Sequence, residues 1–347
     1  MYEEYRQVSQ RMGLELSPSD PGMMTFEIDL AGIVDGRKVS LHRFCGRGAY
    51  VRVTSPFARP LDLGLGVGPE GILSSIAELL GAHDIEVGDA GFDSWLMIRG
   101  DEPERVRALL GPEARRAIGD LRGFDVRLTD ADVSVQFGVA FGGHAESVPL
   151  LEHLLRQVGL VAGVIDAQVT RVPPSTSLRP HYDAWMAFAG PHGMAVRATP
   201  LALEGRAGRS FVAARAIRQS AGVFGLELSV GAEQSLDAGL WVRPRRTALD
   251  AIREGTFGDK TIPTGDAAFD TKLEVRARTP EHVRALLDDG MRARLLELGA
   301  LGDVFLDDRV LSLHAPAAAI EPASFPRVID AMRAVVEARF ESKTAYR

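Results

Sequence analysis

The chain repeats itself, and that constrains its fold more than any single motif. Residues 88–110 read GDAGFDSWLMIRGDEPERVRALL and residues 265–287 read GDAAFDTKLEVRARTPEHVRALL; without gaps, 14 of 23 positions are identical at an offset of 177. The match extends to both sides. Residues 61–69 (LDLGLGVGP) and 236–244 (LDAGLWVRP) agree at six of nine positions with an offset of 175, and 125–135 pairs with 303–313 at an offset of 178. The changing offset places small length differences in loops, which tolerate them. A period of about 176 residues is far longer than the 20–50 residues of a solenoid unit. Each repeat is long enough to bury a core of its own. The expected organisation is therefore two homologous domains, 1–163 and 181–347. The segment 164–180, VIDAQVTRVPPSTSLRP, reads as an extended linker because its prolines fix φ and lack a donor, with an apolar start that could instead pack as a strand.

Within one repeat the expected order is strands, then helices, a hairpin and a closing helix. In the first repeat, 2–12 reads as a helix, with strands at 24–30, 38–44, 49–54, 61–67 and 95–99. Helices follow at 102–110, with Asp101 as its N-cap, and at 113–121. A hairpin spans 125–135, and Val148, Leu151, Leu154, Leu155 and Val158 recur at helical spacing. The second repeat opens with a helix near 181–189. Strands followed by helices, without regular β-α-β alternation, indicate an α+β class. The expected fold is two tandem modules, each a mainly antiparallel sheet packed by helices.

Charge narrows the partners. Forty basic against 47 acidic residues give a net charge of −7, which disfavours nucleic acid because phosphate binding needs a basic field. Four lysines against thirty-six arginines fit the codon bias of a GC-rich bacterial genome. The single cysteine, Cys45, cannot form an intramolecular disulfide and fits a reducing cytoplasm; in a predicted strand it reads as core. The charged opening MYEEYRQVSQRMG reads as no secretory signal. No run approaches the roughly eighteen apolar residues of a transmembrane helix, so no membrane span is expected.

The shared residues are mostly of turn type. Gly88, Asp89, Phe92 and Asp93 recur as Gly265, Asp266, Phe269 and Asp270. Aspartates accept backbone N–H bonds in tight turns, glycine takes positive φ, and the phenylalanine anchors the turn in the core. The competing reading is a metal or general-base site, but no third carboxylate or histidine recurs with the pair, and no metal is assigned. Arg99 and Arg276 also recur; they pair with the aspartates or line an anion pocket. Gly64, Gly66 and Gly68 lie within a predicted strand and become Gly239, Trp241 and Arg243 in the second repeat, which argues against a phosphate cradle. Trp241 with Arg243, Arg245 and Arg246 is a basic-aromatic cluster confined to the second repeat, and is the candidate binding face together with Arg99 and Arg276.

The G-D-x-x-F-D run, an apolar strand and a helix ending in Leu-Leu resemble a group of bacterial proteins that carry a GD-x-x-FD-x-x-F-x-V signature. The resemblance covers about 25 residues per repeat. The position of the aromatic after the second aspartate falls at Trp95 or Leu96 in the first repeat, and the aromatic is lost in the second (Lys272, Leu273). No activity is assigned to that group, so the resemblance implies a repeated globular module and carries over no catalytic residue. The function expected first is non-catalytic binding of a protein or small ligand, with no cofactor. The alternative is a hydrolase-type enzyme whose site, built from His181, Asp183 and His192, exists in one diverged repeat.

Overall fold

The computed structural model describes residues 2–18, 26–46, 48–69, 84–138, 146–245 and 261–344. The chain divides into two compact units, Met1–Ser175 and Thr176–Arg347, here modules one and two. Module one runs α1 (Tyr2–Met12), β1 (Glu15–Pro18), β2 (Phe26–Val34), β3 (Arg37–Cys45), β4 (Tyr50–Pro56), β5 (Gly66–Gly68), α2 (Ala90–Asp93), β6 (Met97–Arg99), α3 (Pro103–Leu109), α4 (Pro112–Gly119), β7 (Asp125–Leu128), β8 (Asp132–Gly138) and α5 (Val148–Gln168). Module two runs α6 (Arg179–His192), β9 (Ala195–Ala198), β10 (Leu201–Ala207), β11 (Ser210–Ser220), β12 (Val223–Gly231), β13 (Trp241–Pro244), α7 (Ala267–Lys272), β14 (Leu273–Arg276), α8 (Pro280–Leu286), α9 (Asp289–Gly299), β15 (Asp303–Asp307), β16 (Val310–Pro316) and α10 (Phe325–Thr344).

The two series correspond element for element. The first sheet has the order β1-β2-β3-β4-β8-β7-β5-β6, and the second is β9-β10-β11-β12-β16-β15-β13-β14 in the same sense. Adding eight to each strand of the first gives the second. The pairings between named strands are antiparallel. The fold is thus α+β in two similar modules.

The central strands of the first sheet show one buried face. Along β4 and β8, buried and half-buried residues alternate, as a sheet with one covered face requires. Helix α5 covers that face through Leu151, Leu154, Leu155, Val158, Val161, Ala162 and Ile165, and packs on β3, β4 and β8. The core of module one extends from Tyr5 to Val172. A separate core extends from Leu178 to Val336 in module two. Among the described residues, one helical stretch, Val148–Arg171, is long and apolar enough to cross a membrane, which the sequence reading did not anticipate. Half of its apolar window is buried within the protein, as a core helix demands.

Four local expectations are corrected. The segment 164–180 is not an extended linker: α5 continues through Gln168, and short 3-10 turns follow at Val169–Arg171 and Thr176–Leu178. Buried Ile165 and Val172 carry the apolar stripe onward, so packing overrides linker-like composition until Pro173. The strand at 61–67 shrinks to β5, because Asp62 and Gly64 take φ of 53° and 63° and break the extended path. The strand at 95–99 begins at Met97, since Trp95 and Leu96 still donate to the carbonyl of Phe92. Helix α3 is preceded by Glu102 and not Asp101, with no side-chain cap bond. Cys45 ends β3, and its side chain lies outside the described residues.

Candidate binding face

The aspartates of the repeated motif are spent on backbone. In module one, Asp93 accepts N–H bonds from Val87, Gly88 and Asp89 at 3.0, 3.1 and 3.0 Å. In module two, Asp270 accepts from the N–H groups of Thr264 and Gly265 and from the Thr264 hydroxyl. The first aspartate caps the short helix that follows: Asp89 accepts from Phe92 N, and Asp266 from Ala268 N and Phe269 N. Gly88 and Gly265 take φ of 77° and 87°, and Phe92 and Phe269 are buried. The backbone bond from Phe269 holds the Asp266 carboxyl below its ordinary range, against an opposing effect of desolvation and with further help from Ala268 N–H and Arg292. A folded value below the unfolded one means its contribution is present at neutral pH and lost as pH falls through the folded value.

Two further shared pairs were not singled out in the sequence. Arg115 and Arg292 lie 3.4 and 3.5 Å from the carboxylates of Asp89 and Asp266. Each also donates to the carbonyl that closes the preceding helix, Leu110 or Leu287. Asp130 accepts from Leu63, Gly64 and Leu65 N at 3.0, 2.9 and 3.1 Å. Its counterpart Asp308 accepts from Gly239 and Leu240 N at 2.8 and 2.9 Å. These carboxylates hold the irregular approach to β5 and β13 that replaces the expected long strand. The signal for them was the aspartate-bearing turn inside the repeated hairpin.

Arg99 and Arg276 do not pair with the motif aspartates. Arg99 donates to the Met97 sulfur at 2.9 Å. Arg276 approaches Glu274 at 3.8 Å and lies 5.4 Å from the centre of the Trp241 ring. Arg243 sits 4.4 Å from the same ring centre and pairs with Glu274. Val242 and Val275 face the core, so strand alternation puts Trp241, Arg243, Glu274 and Arg276 together on the opposite face of β13 and β14. Arg245 donates to the Asp270 carbonyl, which ties it to the motif turn. Arg246 lies outside the described residues. The structure therefore brings Trp241, Arg243 and Arg276 into one cluster, with Arg245 at its border.

Register identifies what module one carries at the same place. Gly66 pairs with Arg99 and Gly68 with Met97, as Trp241 pairs with Arg276 and Arg243 with Glu274. The arginine of the last strand is common to both; the tryptophan and the second arginine belong to module two alone. Module one instead places aromatic residues nearer its centre. Phe44 and Tyr50 stack at 5.6 Å, Arg52 lies 5.3 Å from the Tyr50 ring centre, and His42 bonds Asp29 at 2.8 Å. Cross-strand polar and aromatic pairs of this kind are how a solvated sheet face is stabilised.

His181, Asp183 and His192 do not form a cluster. All three lie on α6, where residues two apart point to different faces, and eleven residues separate the histidines by about 16 Å along the axis. His181 is buried, and burial pushes its imidazole below the ordinary value. Asp183 is ion-paired to Arg179 at 3.2 Å, and His192 meets the Phe188 ring in a tilted contact at 5.0 Å. Among the described residues, no three His, Cys, Asp or Glu side chains are grouped so as to hold a metal ion.

One buried cation stands out in α10. Arg339 has 0% exposure and donates to the Asp307 carbonyl. Burial lowers its pKa to about 10, so it stays charged at neutral pH.

No family model matches the chain, and no curated protein matches it. The crystal structure of the mycobacterial trehalose monomycolate transport factor A, TtfA, is similar at 9% sequence identity and a TM-score of 0.34, over 50% of this chain and 96% of that one. A likeness of that size carries no functional argument, so the positive findings are two like α+β modules and a Trp-Arg cluster present in one of them.

Proposed function

We propose that the protein is a non-catalytic binding protein of the bacterial cytoplasm, which takes its ligand on the sheet face of module two around Trp241, Arg243 and Arg276. One observation supports the reading above others. On two scaffolds with the same strand order, the register positions of Trp241 and Arg243 are glycine in module one. A fold needs neither side chain there, so their presence is specific to one copy. The shared aspartates, by contrast, serve turns and caps.

The cluster fits a ligand that joins a carboxylate or phosphate to an apolar or aromatic group. The anion meets Arg276, the more exposed of the two stacked arginines, and the flat group meets the indole, a π-face already polarised by cations. A protein segment with acidic and aromatic residues satisfies this chemistry. The single cysteine in 347 residues supports a reducing compartment.

The test is a fluorescence titration of the full chain with tryptophan-free acidic peptides bearing Phe or Tyr. The expected result is a saturable change in emission that weakens with salt. It disappears in Trp241→Phe and drops about tenfold in affinity in Arg276→Gln, the loss of one charge-assisted contact. Thermal melting of both variants checks that the fold is intact. Unchanged affinity in a folded Arg276→Gln, or no response of the parent to any acidic peptide, removes the proposal.

A further inference from the structure

The opening helices α1 and α6 occupy equivalent places, and they are fastened by opposite chemistry. Two features set their correspondence. Both helices end at a glycine of positive φ, Gly13 and Gly193. The next residues, Leu14 and Met194, lie against equivalent glycines: a Cβ built at Gly32 falls 2.7 Å from Leu14, and one built at Gly205 falls 2.7 Å from Met194. These matches align Tyr5 with Trp185. The strand registers align Arg43 with Ala216. The start of the closing helix, Ser-x-Pro in both copies, aligns Glu146 with Ala323.

In module one these three positions form a buried polar triad. The Tyr5 hydroxyl donates to Glu146 at 2.6 Å, and Arg43 donates to the same carboxylate at 3.0 and 2.8 Å. Tyr5 and Arg43 are buried at 0% and 2% exposure. Burial, then the Glu146 contact, raises the Tyr5 phenol far above its ordinary value, so it remains a donor. In module two all three are apolar, and Trp185 packs on Phe325 at 5.2 Å while Phe188 meets Phe325 edge-on at 5.5 Å. Helix α6 buries His181, Trp185, Phe188 and Ala189, whereas α1 buries Tyr5 and Val8. Most of the remaining α1 surface is charged or amide-bearing.

We propose that α1 is a releasable strap: it undocks from module one as a unit by breaking the Tyr5–Glu146 bond and the Arg11–Glu152 ion pair and by exposing Tyr5 and Val8, whereas α6, which buries Trp185, Phe188 and Ala189, stays docked until module two unfolds. The Arg43–Glu146 pair remains closed in the released state, because Arg43 lies on β3 and Glu146 just ahead of α5, so neither partner is on α1. Opening exposes fewer large apolar side chains than release of α6 would, and local openings have free energies that rise with the apolar surface they expose. Release uncovers the side of α5 and β2 that α1 contacts. This device is independent of the ligand face of module two.

Hydrogen exchange of the full chain, followed by peptide mass spectrometry, tests it. Peptides from 2–12 are expected to exchange at least roughly tenfold faster than those from 179–192, at a rate insensitive to low denaturant. Tyr5→Phe, which removes only the hydroxyl, speeds exchange in 2–12 by about tenfold and leaves 179–192 unchanged. The graft Tyr5→Trp, Arg43→Ala, Glu146→Ala transfers the chemistry of module two and slows exchange in 2–12. Equal protection of the two helices in the parent chain overturns the proposal. So does a folded Tyr5→Phe with unaltered exchange, which keeps the test decisive if the graft does not fold.

Discussion

Replacing Glu146 with alanine lowers the stability of module one by about 3 kcal/mol, read as a drop in the denaturant midpoint at constant slope. The magnitude follows from what is left behind. Arg43 is 2% exposed and loses the carboxylate that compensates its desolvation, while the Tyr5 hydroxyl loses its acceptor. An uncompensated buried charge costs far more than the pair contributes when intact. The double variant Glu146→Leu, Arg43→Met therefore recovers most of the loss. Module two already shows the apolar solution at the same three positions, with Trp185, Ala216 and Ala323. A single variant with unchanged midpoint contradicts the buried triad.

A second large effect is expected from Asp130→Ala, a loss of about 2–4 kcal/mol. Three backbone N–H groups at 63–65 lose one charged acceptor. That acceptor lies more than sixty residues away in sequence, so the bond set closes a long loop as well as satisfying donors. Asp62 and Gly64 hold positive φ in this segment; the backbone bonds from Leu61 to the Asp130 carbonyl and from Asp101 to the Leu63 carbonyl remain in the variant. Asp308→Ala removes two such bonds and has the smaller effect of the pair. Asp132→Ala, two residues along, touches the exposed Thr129 hydroxyl and stays within about 0.5 kcal/mol of the parent. Chemical denaturation of the three variants orders them; equal effects from Asp130 and Asp132 contradict the assignment.

The duplication, the α+β class and the hairpin could be read from the residues because identity at fixed offset survives whatever the chain folds into. The helix 2–12 was legible for the ordinary reason of amphipathic spacing. Less legible was the segment 61–65, where alternating Leu residues mimic a strand and the left-handed Asp62 and Gly64 leave no trace in periodicity. The start of 164–180 was misread because proline and threonine further on dominated its composition, while Val161, Ile165 and Val172 were continuing the buried stripe. Asp130 and Arg115 were missed since their partners are distant in sequence, and spacing rules see only local neighbours. The His181, Asp183 and His192 grouping failed on helix geometry, which proximity in sequence does not convey. Trp241 with Arg243 and Arg276 could be noted as a composition cluster, but only the β13–β14 register shows that all three share one face.

The account depends on two modules that each bury their own interior. The direct measurement is to produce 1–175 and 176–347 separately and follow each through chemical denaturation by circular dichroism and tryptophan emission. Each half is predicted to give one cooperative transition with native-like secondary structure. Halves that are unfolded alone and regain structure only when mixed would contradict it, because the two cores would then be parts of one.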